Sequence, residues 1–125
     1  MHPDTIRLSA EAKQQLSRLK RRTGIDQWNV LCRWALCRSL AEPTPVAARR
    51  VPADSNVEMT WRTFAGPWGE VLWALVEARC RDEGLPAEPE TVAAQLRLHI
   101  HRGIGYLFGD QSVTDIESLA ALTSA

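Results

Sequence analysis

The segment 27–41 (QWNVLCRWALCRSLA) constrains the fold of this 125-residue chain more than any other. Wound as a helix at about 100° per residue, it places Trp28, Val30, Leu31, Cys32, Trp34, Ala35, Leu36, Cys37 and Leu40 around nearly the whole circumference. Charge interrupts it only at Arg33 and Arg38. A helix apolar almost all round has to be buried on most sides, so a packed, mainly α protein is expected. One small domain covers two sides of such a helix, and a second copy of the chain is expected to cover a third.

The flanking sequence supplies the other elements. Thr5-Ile-Arg-Leu8 alternates as a short strand and meets Ser9, a good N-cap, ahead of a helix over 10–22 that contains no Pro or Gly. Gly24 closes that helix, Asp26 is positioned to cap the next, and Pro43 and Pro45 stop it. Residues 57–63 alternate again and predict a second strand ending before Gly66-Pro67. A third helix is expected over 67–82 with Trp68, Val71, Leu72, Leu75 and Val76 as its buried stripe. A fourth is expected over 89–108 with Val92, Ala93, Leu96, Ile100, Gly103, Ile104 and Leu107, fraying beyond Gly105. Ser112 and Asp115 have the spacing of a capping box before a weak tail helix. The fold class is thus a helical bundle of four to five helices with one or two short strands. It forms a single domain over 1–125: a basic strand-helix-helix part (1–42), a Pro-rich loop (43–56), an acidic strand and two helices (57–109), and a weak helical tail (110–125).

Charge gives this organisation a functional direction. Fifteen basic and fifteen acidic side chains sum to zero, but residues 1–50 hold ten basic against four acidic, a net of +6, and the remainder carries −6. Within the first helix, Ala12, Leu16, Leu19 and Thr23 share an arc of about 60°, while Lys13, Ser17, Arg18, Lys20, Arg21 and Arg22 occupy the other side. Positions 12–25 contain no carboxylate to form the i,i+4 pairs that a merely solvated helix carries. Unpaired like charges repel, and a polyanion reverses that cost. Arg7 on the strand and Arg49 and Arg50 in the loop extend the candidate DNA-binding set, with the acidic half expected to face away. The strand-helix-helix order, with Thr23-Gly24 between the helices, has the shape of a ribbon-helix-helix unit, in which Thr5, Arg7 and Ser9 would point outward. A transcriptional regulator or antitoxin of that type is the alternative function.

No residue set points to self-sufficient catalysis. His99 and His101 lie about 200° apart on a helix and cannot share one ion. His99 is expected to be a hydrogen-bonded core residue and His101 to face outward. Cys32, Cys37 and Cys80 form no CxxC pair. Gly103, Gly105 and Gly109 end a helix instead of opening one, so they do not make a phosphate loop, and Gly103 is expected to mark a close helix approach. Neither catalytic residues nor a cofactor nor a metal is expected. Without a membrane-length apolar run or a leader pattern, a cytoplasmic location is expected.

Several stretches together resemble the DndE-type proteins of bacterial DNA phosphorothioation systems: IRLSAEAKQQLSRLKRRTGI (6–25), NVLCRWAL (29–36), MTWRTFAGPWGEVLWALV (59–76), EGL (83–85) and LRLHIHRGIGYLF (96–108). The resemblance implies a DNA-binding component of the machinery that replaces a non-bridging phosphate oxygen with sulfur. It implies a homo-oligomer, with a tetramer as the expected state, that favours nicked duplex DNA through basic side chains. Its implied partners are a cysteine desulfurase, an iron–sulfur protein and an ATPase. The carry-over holds by residue type at Lys13 and Lys20, whereas Arg18, Arg21 and Arg22 stand where the family often has Lys. His99, Arg102 and Gly103 match the family's late-helix His-x-x-Arg-Gly pattern.

Overall fold

The computed structural model describes residues 1–122. In chain order the elements are β1 (Thr5–Arg7), α1 (Ala10–Thr23), α2 (Trp28–Leu40), β2 (Glu58–Thr60), α3 (Trp61–Ala65), a 3-10 turn (Gly66–Trp68), α4 (Gly69–Asp82), α5 (Pro89–Gly109) and α6 (Ile116–Ala121). Among the described residues, no helix is long and apolar enough to cross a membrane.

The 21-residue α5 is the hub, packing against α1, α2 and α4, most extensively against α2. Leu16 and Leu19 of α1, Leu31 and Leu36 of α2, Phe64, Val76, and Leu96, Ile100, Ile104 and Leu107 of α5 form the fully buried centre. Helix α2 is indeed covered on two sides, and Val30, Trp34 and Cys37 are left on a third that the chain does not close.

Local chemistry sets the element ends. The Ser9 hydroxyl accepts from the Ala12 amide, and Gly24, at φ 74°, closes α1 in the left-handed conformation glycine tolerates. Four expectations need correction. Asp26 does not cap α2: Gln27 stands at the N-cap and makes no side-chain bond there. The second strand stops at Thr60 because the Thr60 hydroxyl accepts from the Thr63 amide and starts α3. The tail capping box is formed by Asp115 and Ser118, not by Ser112. Finally, α5 does not fray beyond Gly105 but continues to Gly109.

The buried stripe of α4 also differs, being Leu72, Trp73, Val76 and Cys80. Trp68, Val71 and Leu75 are instead 57 %, 57 % and 47 % exposed. The helix has turned roughly a quarter turn from the expected orientation.

β1 pairs antiparallel with β2 of the same chain, Ile6 opposite Met59 and Arg7 opposite Glu58. The ribbon is therefore completed within one molecule. Ser9, expected to point outward, is buried as the α1 cap.

The loop over 41–57 lacks regular structure yet is fastened by three arginines from the acidic half. Arg79 donates to the carbonyls of Leu40 and Glu42, at 2.9 and 2.5 Å. Arg97 donates to those of Arg7, Val51 and Pro52, at 2.9, 2.6 and 2.6 Å. Arg102 donates to those of Ser39 and Thr44, at 2.8 and 2.6 Å. A guanidinium offers five donors in a fixed fork, which suits it to gathering carbonyls that no secondary structure satisfies. Turned inward this way, these three cations do little to offset the outward acidity of the second half.

Candidate nucleic-acid interface

The solvent side of α1 divides into two flanks. On one, the Lys20 ammonium lies 4.2 Å from the Trp28 ring centroid, and the Lys13 Nζ donates to Asn56 Oδ1 at 2.5 Å. The Ser17 hydroxyl donates to the Lys13 carbonyl and is thereby turned to its own helix. On the other flank, the Arg18 and Arg22 guanidinium groups lie over the Phe108 ring at 5.9 and 5.5 Å. Arg22 also donates to the Phe108 carbonyl at 3.1 Å, satisfying an acceptor near the α5 C-terminus. Arg21 stands exposed between the flanks.

Aromatic rings beneath the cations hold them in place without neutralising them. The ion pairs among the described residues are Arg7–Glu58, Arg79–Glu83 and Arg81–Glu77. None involves a cation of α1. Lys20, Arg21 and Arg22 crowd the last turn, where the partial negative charge of the helix terminus offsets part of their repulsion.

The remaining candidates lie elsewhere. Arg7 is held by Glu58 at 2.7 Å and by the Ser55 carbonyl at 3.0 Å. Arg49 and Arg50 are exposed on the loop, Arg49 at the rim of a trough between α1 and α5, Arg50 beside Ala94 and Leu98 of α5. The structure thus gathers Lys13, Ser17, Arg18, Lys20, Arg21 and Arg22 on one helix, places Arg49 on the loop across a trough from the start of that helix and Arg50 beside α5, and commits Arg7 to the ribbon. Sequence reasoning missed that Phe108 and Trp28 support the cations. Both are aromatic residues flanking a basic stretch in space, and Trp28 is also near it in sequence.

The late-helix pattern has a structural account. A Cβ built on Gly103 would lie 1.7 Å from the Ala35 carbonyl oxygen, so α2 and α5 touch through their backbones there. Arg102 Nε donates to the Ser39 hydroxyl at 2.8 Å, and that hydroxyl is 2.8 Å from His99 Nδ1. All three residues therefore fasten α5 to α2. His101 does not face outward. It is buried, accepts from the Ser9 amide through Nε2 at 3.1 Å and donates from Nδ1 to the Arg97 carbonyl at 2.8 Å, tying α5 to the start of α1.

Burial, with the neighbouring Arg102 and Arg79 charges, lowers the His99 pKa from 6.5 to about 4, and burial lowers that of His101 as well. Both are neutral in the fold but take up protons once unfolded. Their contribution is fully present above pH 6.5 and drains away as the pH falls toward 4, below which His99 is protonated in both states. Urea midpoints measured from pH 7 to pH 4 should fall, with His99 alone accounting for a loss on the order of 3 kcal/mol. A His99→Gln variant should have a flatter profile. An unchanged profile would show that the histidine has no part in acid sensitivity.

The thiols are held protonated. Burial pushes Cys32 up to about 12 and raises Cys37 and Cys80.

The fold and this surface define a small α-helical protein with one concentrated cationic helix face and an interior given over to packing. The model of the family described as DNA sulphur modification protein DndE matches residues 5–115, and the chain belongs to that family. The fold is similar to the crystal structure of DndE from Escherichia coli B7A involved in DNA phosphorothioation modification: TM-score 0.73 and 22 % identity over 86 % of this chain and 98 % of that one. It is also similar to a DndE variant with two glycines replaced by lysine, involved in DNA phosphorothioation, with TM-score 0.67 and 19 % identity over 85 % and 99 % of the two chains. No curated protein matches the chain.

Proposed function

We propose that this chain is the DNA-binding subunit of a bacterial DNA phosphorothioation system, holding duplex DNA through α1 while other subunits carry the chemistry. One observation supports this most: Lys13, Arg18, Lys20, Arg21 and Arg22 face solvent with no carboxylate partner among the described residues, on a scaffold of the DndE family. Phosphate contacts position a protein on DNA without reading sequence. Such a subunit responds to the state of the backbone, and a nicked duplex is its preferred form. Arg49 and Arg50 extend the contact from the loop.

A non-catalytic role agrees with the burial of Cys32 and Cys80, which keeps their thiols protonated, since the thiolate is the nucleophile in sulfur transfer. The activity itself then belongs to partners: a cysteine desulfurase, an iron–sulfur protein and an ATPase. The regulator reading loses support, because β1 pairs with β2 of its own chain instead of a partner's strand. Gel shifts of intact, nicked and single-stranded DNA over a salt series test the proposal. A flat salt profile would sink it.

The oligomer belongs to the same proposal. Trp68, Val71 and Leu75 stand exposed beside Val30, Trp34 and Cys37, around a groove of about 430 Å³. An apolar patch of this kind marks an interaction surface, and a second copy of the chain is the occupant proposed for it. Val71→Glu with Leu75→Glu is expected to yield monomers in sedimentation velocity with unchanged far-UV circular dichroism. A mass that does not change would place the subunit contact on another face.

A further inference from the structure

Gly103 and Gly105 lie two apart on α5 and differ completely in what they face. A Cβ at Gly103 would strike the Ala35 carbonyl, but a Cβ at Gly105 would meet nothing within 4 Å. Packing does not require the second glycine, although glycine inside a helix costs about 1 kcal/mol relative to alanine. Its bare backbone instead lines a trough of about 390 Å³ between α1, α5 and the loop, bounded also by Glu11, Gln15, Arg49, Val51 and Tyr106. That volume falls within the roughly 300–1,000 Å³ of small-ligand sites.

Resting on the DNA-binding reading above, we propose that this trough receives one unstacked nucleotide, the end of a strand at a nick. Three features carry the inference. The first is unused hydrogen-bonding capacity: the Glu11 carboxylate, the Gln15 amide, the Arg49 guanidinium and the Tyr106 hydroxyl make no hydrogen bond to other described residues, while the backbone around them is satisfied. The second is the mixture. A carboxylate and an amide match the donors and acceptors of a base edge, Val51 offers apolar surface, Tyr106 presents its hydroxyl while Arg38 and Arg102 lie over its ring at 4.7 and 5.6 Å, and a guanidinium at the rim suits a phosphate. The third is position. At about 100° per residue, Glu11, Gln15, Arg18 and Arg22 share an arc of roughly 60° on α1. The trough therefore continues the Arg18–Arg22–Phe108 stripe, so a strand held by those cations leads into it. A continuous duplex cannot release a nucleotide without unstacking and unpairing it, whereas a strand end does so at lower cost. The trough gives a physical origin for preferring a nick.

The test compares wild type with Gly105→Leu, whose side chain extends from an unobstructed Cβ position into the trough, and Gly105→Ala, which adds only a Cβ that meets nothing within 4 Å and leaves the trough open. Wild type and Gly105→Ala should bind nicked duplex at least about fivefold more tightly than intact duplex, the effect of roughly 1 kcal/mol of base stacking. Gly105→Leu should bring that ratio to one with affinity for intact duplex unchanged. A nick preference that survives in Gly105→Leu, or is missing from wild type, overturns the assignment. Loss of binding to intact duplex by wild type as well would reject the DNA-binding reading beneath it. Calorimetry with deoxyadenosine monophosphate separates the two sources of such a nucleotide. Saturation at micromolar concentration would assign the trough to a free nucleotide and overturn the strand-end proposal, and millimolar or weaker binding supports it.

Discussion

Replacing Gly103 with alanine is expected to destabilise the protein by about 4 kcal/mol or more, the range reached when a substitution breaks a named packing feature. The added methyl would sit 1.7 Å from the Ala35 carbonyl oxygen, 2.3 Å from its carbon and 2.8 Å from Cα. All three are backbone atoms in the middle of α2, so no rotamer change relieves the contact. The helices would have to move apart by more than 1 Å, and their separation would open voids around Leu31, Ile100 and Ile104, each fully buried. It would also stretch the Arg102–Ser39–His99 bonds that fasten the same junction. Against a total stability of roughly 5–15 kcal/mol, this is a large fraction. Urea unfolding followed by circular dichroism measures it. A loss below about 1 kcal/mol would mean that α2 and α5 slide past one another freely. Alanine at Gly105, two residues on, should stabilise the fold slightly by helix propensity.

The glycine contrast shows where the sequence is readable and where it is not. Gly103 falls within the apolar stripe of α5, so a close approach there follows from periodicity. Which atoms it approaches depends on the rotation of α2, which local pattern does not encode. The same limit explains α4. Its apolar residues occupy two neighbouring arcs, Leu72-Trp73-Val76-Cys80 and Trp68-Val71-Leu75, and hydrophobicity alone does not say which arc meets the core. His101 misleads for a related reason. It lies off the main stripe, yet α5 is packed on more than one side, against α2 and against α1 and the loop.

The basic side of α1 was legible because it depends on residues three and four apart, which any helix brings together. The inward use of Arg79, Arg97 and Arg102 left no such trace. Apart from the Arg79–Glu83 pair and the Arg102 bond to the Ser39 hydroxyl, their acceptors are backbone carbonyls between 35 and 90 positions away, and every residue has a carbonyl. The strand pairing lies between these extremes: both strands alternate visibly, but only the structure shows that the partner is within the chain.

Neutralising α1 should have the largest effect on function. With Arg18, Lys20, Arg21 and Arg22 all changed to Gln, affinity for duplex DNA is expected to fall about a hundredfold at low salt and to lose most of its salt dependence. Each phosphate contact contributes about 0.9 to the slope of log affinity against log salt, so four contribute about 3.6. Between 50 and 200 mM salt, wild type should therefore weaken roughly 150-fold while the variant changes little. Glutamine is the informative replacement. It keeps helix propensity close to that of Lys and Arg and adds no negative charge at the α1 C-terminus, where glutamate would oppose the helix dipole. The Arg22 bond to the Phe108 carbonyl is lost in this variant, so thermal unfolding must be measured alongside to show that the fold persists. A stable quadruple variant that retains the wild-type salt slope would remove α1 from the interface and shift attention to Arg49 and Arg50. A slope that steepens by about 0.9 for each residue restored would identify each of the four side chains as a phosphate ligand.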